Sequence, residues 1–155
     1  MTTYQRIFGA GPRGIILSIL LLGISWYLEP AINLPAISSN EQFRLIVFIL
    51  LTLISCVIAI WSLLSLPPAK RGKILVTDGV FKYFRHPLYA AFISFFNFGF
   101  AVLLNNWIYV LWAILVHFLW HWNIRSEEEL MKKIYLKKYT VYSKNTGRFF
   151  PVIRL

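Results

Sequence analysis

Acid is scarce in this chain: six Asp and Glu stand against sixteen Lys and Arg over 155 residues, and charged residues make up only 14%. With 58% of residues hydrophobic, that balance excludes a disordered, strongly solvated chain and describes one whose solvent is lipid. The lone cysteine, Cys56, falls inside an apolar run, which excludes an internal disulfide and any multi-cysteine metal site. No G-x-S-x-G elbow, H-E-x-x-H pair or phosphate-binding P-loop occurs. Nor does any internal repeat or low-complexity segment divide the chain. The expectation is one membrane unit over residues 1–155, with two crossings in 1–66 and a loop, a helical hairpin and a tail in 67–155.

Charge is absent over long stretches. Leu45 to Leu66 carries none, and at about 1.5 Å per residue this run spans a hydrocarbon core of roughly 30 Å. His86 to Ile124 has no Asp, Glu, Lys or Arg either, and it is too long for one crossing. Asn105-Asn106 interrupts it, so the sequence predicts a tight hairpin with arms at Leu88–Leu104 and Trp107–Trp122. A weaker run, Ile15–Leu28, is expected to stop at Glu29-Pro30, with Ala31–Ile37 as a bent or re-entrant continuation. Its competing reading is a signal peptide behind Arg6 and Arg13, against which stands the lack of a small-x-small cleavage site. The fold class that results is an all-α integral membrane protein of about four crossings.

The basic residues that remain lie beside these runs. Glu29–Arg44 holds two acids and one base, whereas Pro67–Pro87 holds five bases and one acid, and the tail after Arg125 is richer still. The positive-inside rule puts the N-terminus, the 67–87 loop and the tail in the cytoplasm. The net charge of +10 therefore reads as contact with anionic lipid headgroups, and nucleic acid is not expected. Ser126-Glu127-Glu128-Glu129 has the form of a helix capping box. Leu130, Ile134, Lys138 and Val141, widened by Met131, Tyr135 and Tyr142, mark one stripe of an amphipathic helix on the headgroups.

Chemistry concentrates at Gly79–Tyr89, where Tyr83, Arg85, His86, Pro87 and Tyr89 crowd the cytoplasmic end of a crossing. Such residues suit a plain interfacial anchor. They equally offer a guanidinium and an imidazole to a carboxylate or phosphate, with aromatic rings for a flat or cationic ligand. Glu128 and Glu129 each precede a lysine by four residues, which ordinary helix chemistry explains; Glu127 has no such partner. His117 and His121 have zinc-compatible spacing, but their helix offers no third ligand, so no metal is expected and a polar cavity lining is. Asn97 reads the same way, or as a helix-to-helix hydrogen bond. Gly9-Ala-Gly11-Pro-Arg-Gly14 satisfies G-x-G-x-x-G, yet without a preceding strand it reads as a flexible approach to the first helix.

Taken in order, Gly79, Tyr83 and Arg85-His86-Pro87-x-Tyr89 resemble the G-P-Y-x-Y-x-R-H-P-x-Y-x-G motif of the isoprenylcysteine carboxyl methyltransferase and phospholipid methyltransferase superfamily. Glu127-Glu128 resembles that family's paired acids beyond the hairpin. Tyr135, Tyr139, Tyr142 and Pro151 resemble its closing F-G-x-x-Y-x-x-Y and proline. Val80, Phe81, Ala91 and Leu136 depart from the family's usual proline, tyrosine, glycine and glycine. The resemblance implies methyl transfer from S-adenosylmethionine to a lipophilic acceptor, an isoprenylcysteine-type carboxylate or a lipid headgroup amine. It further implies Arg85, His86 and Glu127 as catalytic groups and Tyr83, Arg85, His86, Pro87, Tyr89, His121, Glu127, Glu128 and Tyr139 as the cofactor's contacts. His86 or His121 would take the proton of an amine or thiol. A nicotinamide-dependent membrane reductase and a non-catalytic lipid-binding scaffold are the alternatives.

Overall fold

A computed structural model describes residues 9–67, 69 and 73–152. Four helices are long and apolar enough to cross a membrane. They are α1 (Gly11–Ile32), α2 (Glu41–Ser65), α3 (Pro87–Leu104) and α4 (Trp107–Asn123), the last passing through a turn at Ile124 into the tail helix α5 (Arg125–Asn145). Among the described residues there is no strand, only a single parallel bridge between Phe84 and Gly147. The chain is an all-helical, multi-pass membrane protein. Arg6, Lys70 and Arg71, on which part of the charge argument rests, lie outside the described residues.

The first crossing is longer than Glu29-Pro30 suggested, because α1 runs through Pro30 to Ile32. Proline in the last turn removes one hydrogen bond, and the helix still closes with Asn33 in the left-handed region donating its N–H to the carbonyl of Glu29. Helix α2 begins on Asn40, whose side chain accepts from the N–H of Phe43.

The hairpin matches its expected arms to within a residue. Asn105 takes φ 60°, a conformation asparagine tolerates, and its Oδ1 accepts from the N–H groups of Ile37 and Ser38 at 3.1 and 3.0 Å. Asn106 then caps α4 by accepting from Ile108 N–H at 2.9 Å and donates to the carbonyl of Leu34 at 3.1 Å. Both polar side chains of the turn thus stitch the α1–α2 connection to the hairpin.

Residues Ala91–Phe96 of α3 form a π-helical segment directly after the Arg85-His86-Pro87 loop, with ordinary α-helix on either side. Helix α1 leans on α4 and α2 on α3, while α3 and α4 pack on each other. The buried core lies between α3, α4, the short 3-10 turn Gly79–Lys82 and the chain after α5: Val80, Ile93, Trp112, Val116, Trp120 and Phe149. Large apolar residues of α1 and α2 such as Ile16, Leu20, Leu53 and Val57 face outward, where lipid covers them.

Two tail expectations require correction. Ser126 is not an N-cap, because α5 starts one residue earlier at Arg125 with Ile124 as its cap and no capping side chain. Nor does one continuous stripe run along α5. Leu136 has φ 50° and ψ −126°, which breaks the helix in two and rotates Tyr139 inward to 2% exposure.

Candidate functional site

The Arg85-His86-Pro87 loop is held in place by the chain after α5. Arg85 N–H donates to Gly147 O at 2.7 Å and His86 N–H to Arg148 O at 3.2 Å, while Tyr142 hydroxyl donates to Phe81 O at 2.7 Å. Proline at the first position of α3 needs no partner for an amide hydrogen, so the helix starts directly beneath the imidazole. His86 stacks on Tyr89 with ring centroids 5.7 Å apart, and Tyr89 meets Trp120 of α4 at 4.7 Å.

At the centre is Glu128, 3% exposed. Its Oε1 faces Arg85 Nη1 at 3.3 Å and His86 Nε2 at 3.4 Å; its Oε2 accepts from Arg148 Nη2 at 2.7 Å and Nε at 3.0 Å. Burial alone raises a carboxyl pKa, but the close donors on His86 and Arg148 and the charge of Arg85 outweigh it and hold Glu128 at about 2. The helical i, i+4 pairing with Lys132 that the sequence offered for Glu128 is thereby superseded: a carboxylate this buried must be neutralised from within.

Glu127 is placed differently. Its Oε2 accepts from Ala10 N–H at 3.2 Å and from the Tyr89 hydroxyl at 3.4 Å, and its Oε1 lies 3.9 Å from His86 Nδ1. The segment that reads as a flexible approach to α1 is instead fitted to the site. Gly9 has φ +52°, and a Cβ there would come within 2.7 Å of Glu127 Oε2. A Cβ on Gly14 would meet the Trp120 ring at 2.5 Å, so only glycine lets α1 lie this close to α4. Asn123 donates to Ala10 O at 2.9 Å, and both Trp112 and Trp120 donate to Ser18, closing the seam.

A cavity of about 610 Å³ opens from this cluster. Arg85, His86, Pro87, Tyr89, Glu127 and Tyr139 form its polar end. Ile15 and Ile19 of α1 and Phe92, Phe96 and Phe100 of α3 form its apolar end, with Asn97 also in the wall. Of the residues singled out from sequence, Glu128 stands behind this wall and Tyr83 faces a second groove. His121 is also outside it. There Arg148 Nη1 donates to His121 Nδ1 at 3.3 Å, which leaves His121 Nε2 to donate to His117 Nε2 at 3.2 Å. Among the described residues no group of three metal-type ligands converges, here or elsewhere. Sequence reasoning missed Arg148 altogether, because nothing in its local sequence links it to Glu128, which it meets only through the fold.

A family model described as phospholipid methyltransferase matches residues 43–138. Neither the curated proteins nor the solved structures contain a match. The matched span carries the loop with Arg85 and His86, the hairpin and the Glu127-Glu128 turn, the parts that meet at the polar end of the cavity: the chain belongs to the phospholipid methyltransferase family.

Proposed function

We propose that the chain moves a methyl group from S-adenosylmethionine to a lipophilic acceptor that stays in the bilayer, and that this acceptor is a phospholipid bearing a headgroup amine. The observation that carries the reading is the cavity's division: a charged end built from Arg85, His86 and Glu127, and an apolar end built from α1 and α3. The family supports the reaction class and the lipid acceptor.

The residues fit an amino-acid-bearing cofactor. Among the described residues Arg85 Nε is buried without an aligned hydrogen-bond partner, so a donor for a carboxylate stands ready. Glu127, less buried than Glu128, offers a carboxylate to an ammonium group. Glu128 holds Arg85 and His86 from behind and is a positioning residue. When bound, S-adenosylmethionine supplies an electrophilic methyl group on a cationic sulfur. Tyr89 and Trp120 present ring faces that suit that cation and equally a methylated ammonium head. His86 is the group in the wall able to take the proton of an acceptor amine, its gained charge balanced by Glu127 and Glu128. His121, behind Arg148, is set aside as that base. Aromatic and aliphatic walls exclude water and align the two partners, which lowers the barrier by proximity.

Protein purified in detergent tests this by thermal unfolding with S-adenosylhomocysteine, NADPH or no addition. At a hundredfold excess over Kd the first should add about 2.7 kcal/mol, and Arg85→Ala or Glu127→Ala should remove that gain. Incorporation of a labelled methyl group into phosphatidylethanolamine in nanodiscs then identifies the acceptor. A response to NADPH alone makes the protein a reductase, and silence to both makes it a scaffold.

A further inference from the structure

A second groove lies on the other side of Tyr142 from the candidate site. Ile74, Leu75, Thr77, Lys82 and Tyr83 form one wall, and Tyr135, Lys137, Lys138, Val141 and Asn145 of α5 form the other, with Val152 at the edge. No acid lines it. Lys82, Lys137 and Lys138 are exposed, and among the described residues none of them pairs with a carboxylate. The Tyr135 hydroxyl is buried and makes no hydrogen bond. Around the cations, apolar side chains are left bare: Leu136 is 68% exposed, Val141 51%, Val152 49% and Ile74 45%. The break at Leu136 produces this arrangement, because it turns the second half of α5 against Phe81 and Phe84 and leaves Lys137 and Lys138 at the rim.

We propose that this groove binds the headgroup of an anionic phospholipid, with the lysines on the phosphate, Tyr135 as an added donor, and acyl chains lying along Ile74, Val141 and Val152. Charge complementarity favours an anion, and the apolar rim favours one that carries chains over a soluble phosphate. The groove meets the candidate cavity across a shared wall of Ile74, Leu75 and Tyr142. A lipid seated there braces the Tyr142–Phe81 contact that supports the Arg85 loop. This site requires no methyl transfer and stands or falls separately from it.

The test uses full-length protein in neutral detergent, titrated with dioleoylphosphatidylglycerol, dioleoylphosphatidylcholine or glycerol phosphate. Bound lipid is counted by native mass spectrometry and the unfolding midpoint followed in parallel. Wild type should retain one phosphatidylglycerol and gain stability from it alone. The triple variant Lys82→Gln, Lys137→Gln, Lys138→Gln should bind about a hundredfold more weakly, since each charge at a lipid surface contributes about fivefold. A control triple at Lys132, Lys133 and Lys144 should bind as wild type does. Should the groove variant fail to fold, Tyr135→Phe decides by a several-fold loss. Retention of the lipid by the groove variant or by Tyr135→Phe, equal loss in the control, or an equal response to glycerol phosphate would overturn the proposal.

Discussion

Glu128 and Glu127 are neighbours with opposite tasks. Removing the charge of Glu128 leaves Arg85 and Arg148, both only partly exposed, without their buried counter-ion, and Glu128→Gln should cost about 3 kcal/mol of stability, read as a lowered unfolding midpoint. Glu127→Gln, at a more exposed carboxylate, should leave the midpoint nearly unchanged and abolish the stabilisation by S-adenosylhomocysteine. The Glu128 pKa, held near 2 against an ordinary 4.5, sets a pH window. A depressed carboxylate stabilises fully well above its unfolded pKa, so the contribution of Glu128 should be lost, by about 3 kcal/mol, as pH drops through 4.5 to about 2. Unfolding midpoints measured across that interval for wild type and Glu128→Gln check it, because the variant should lack the slope. Local chemistry made Arg85, His86 and Glu127 conspicuous in the sequence. It could not reveal Arg148, which acts through a contact with a residue twenty positions earlier, across the break in α5.

Helices are where the sequence was most readable. Runs without charge gave α3 and α4 to within a residue and α2 except for its first turn, Glu41–Arg44, since in lipid every backbone group must be satisfied within its own segment. Breaks inside helices were not readable. The π segment of α3 and the kink in α5 depend on tertiary neighbours, and periodicity alone draws both as ordinary helix. Leu136 gives this a measurable form. With φ 50° it occupies a conformation that glycine adopts without strain and leucine adopts at a cost of about 1–3 kcal/mol. Leu136→Gly should therefore raise the unfolding midpoint, by about 1 kcal/mol after glycine's greater unfolded-state entropy is set against the relief.

For the molecule as a whole, sidedness follows from the fold and the charge together. Four crossings put the start of α1, the Arg85 loop and α5 on one side, and we propose from the distribution of bases that this side is the cytoplasmic one. With Cys56 replaced by serine, single cysteines at Arg13 and at Lys144 should both react with a membrane-impermeant thiol reagent in inside-out vesicles and neither in right-side-out ones. A split result would separate Glu127 from the start of α1 and contradict the Ala10 contact. The same layout sets an order of events. Gly147 and Arg148, which clasp the Arg85 loop and neutralise Glu128, come after all four crossings in the chain. A chain translated only as far as the end of α4 lacks both the clasp on the loop and the counter-ion of Glu128. The candidate site is therefore completed only after the crossings that it joins.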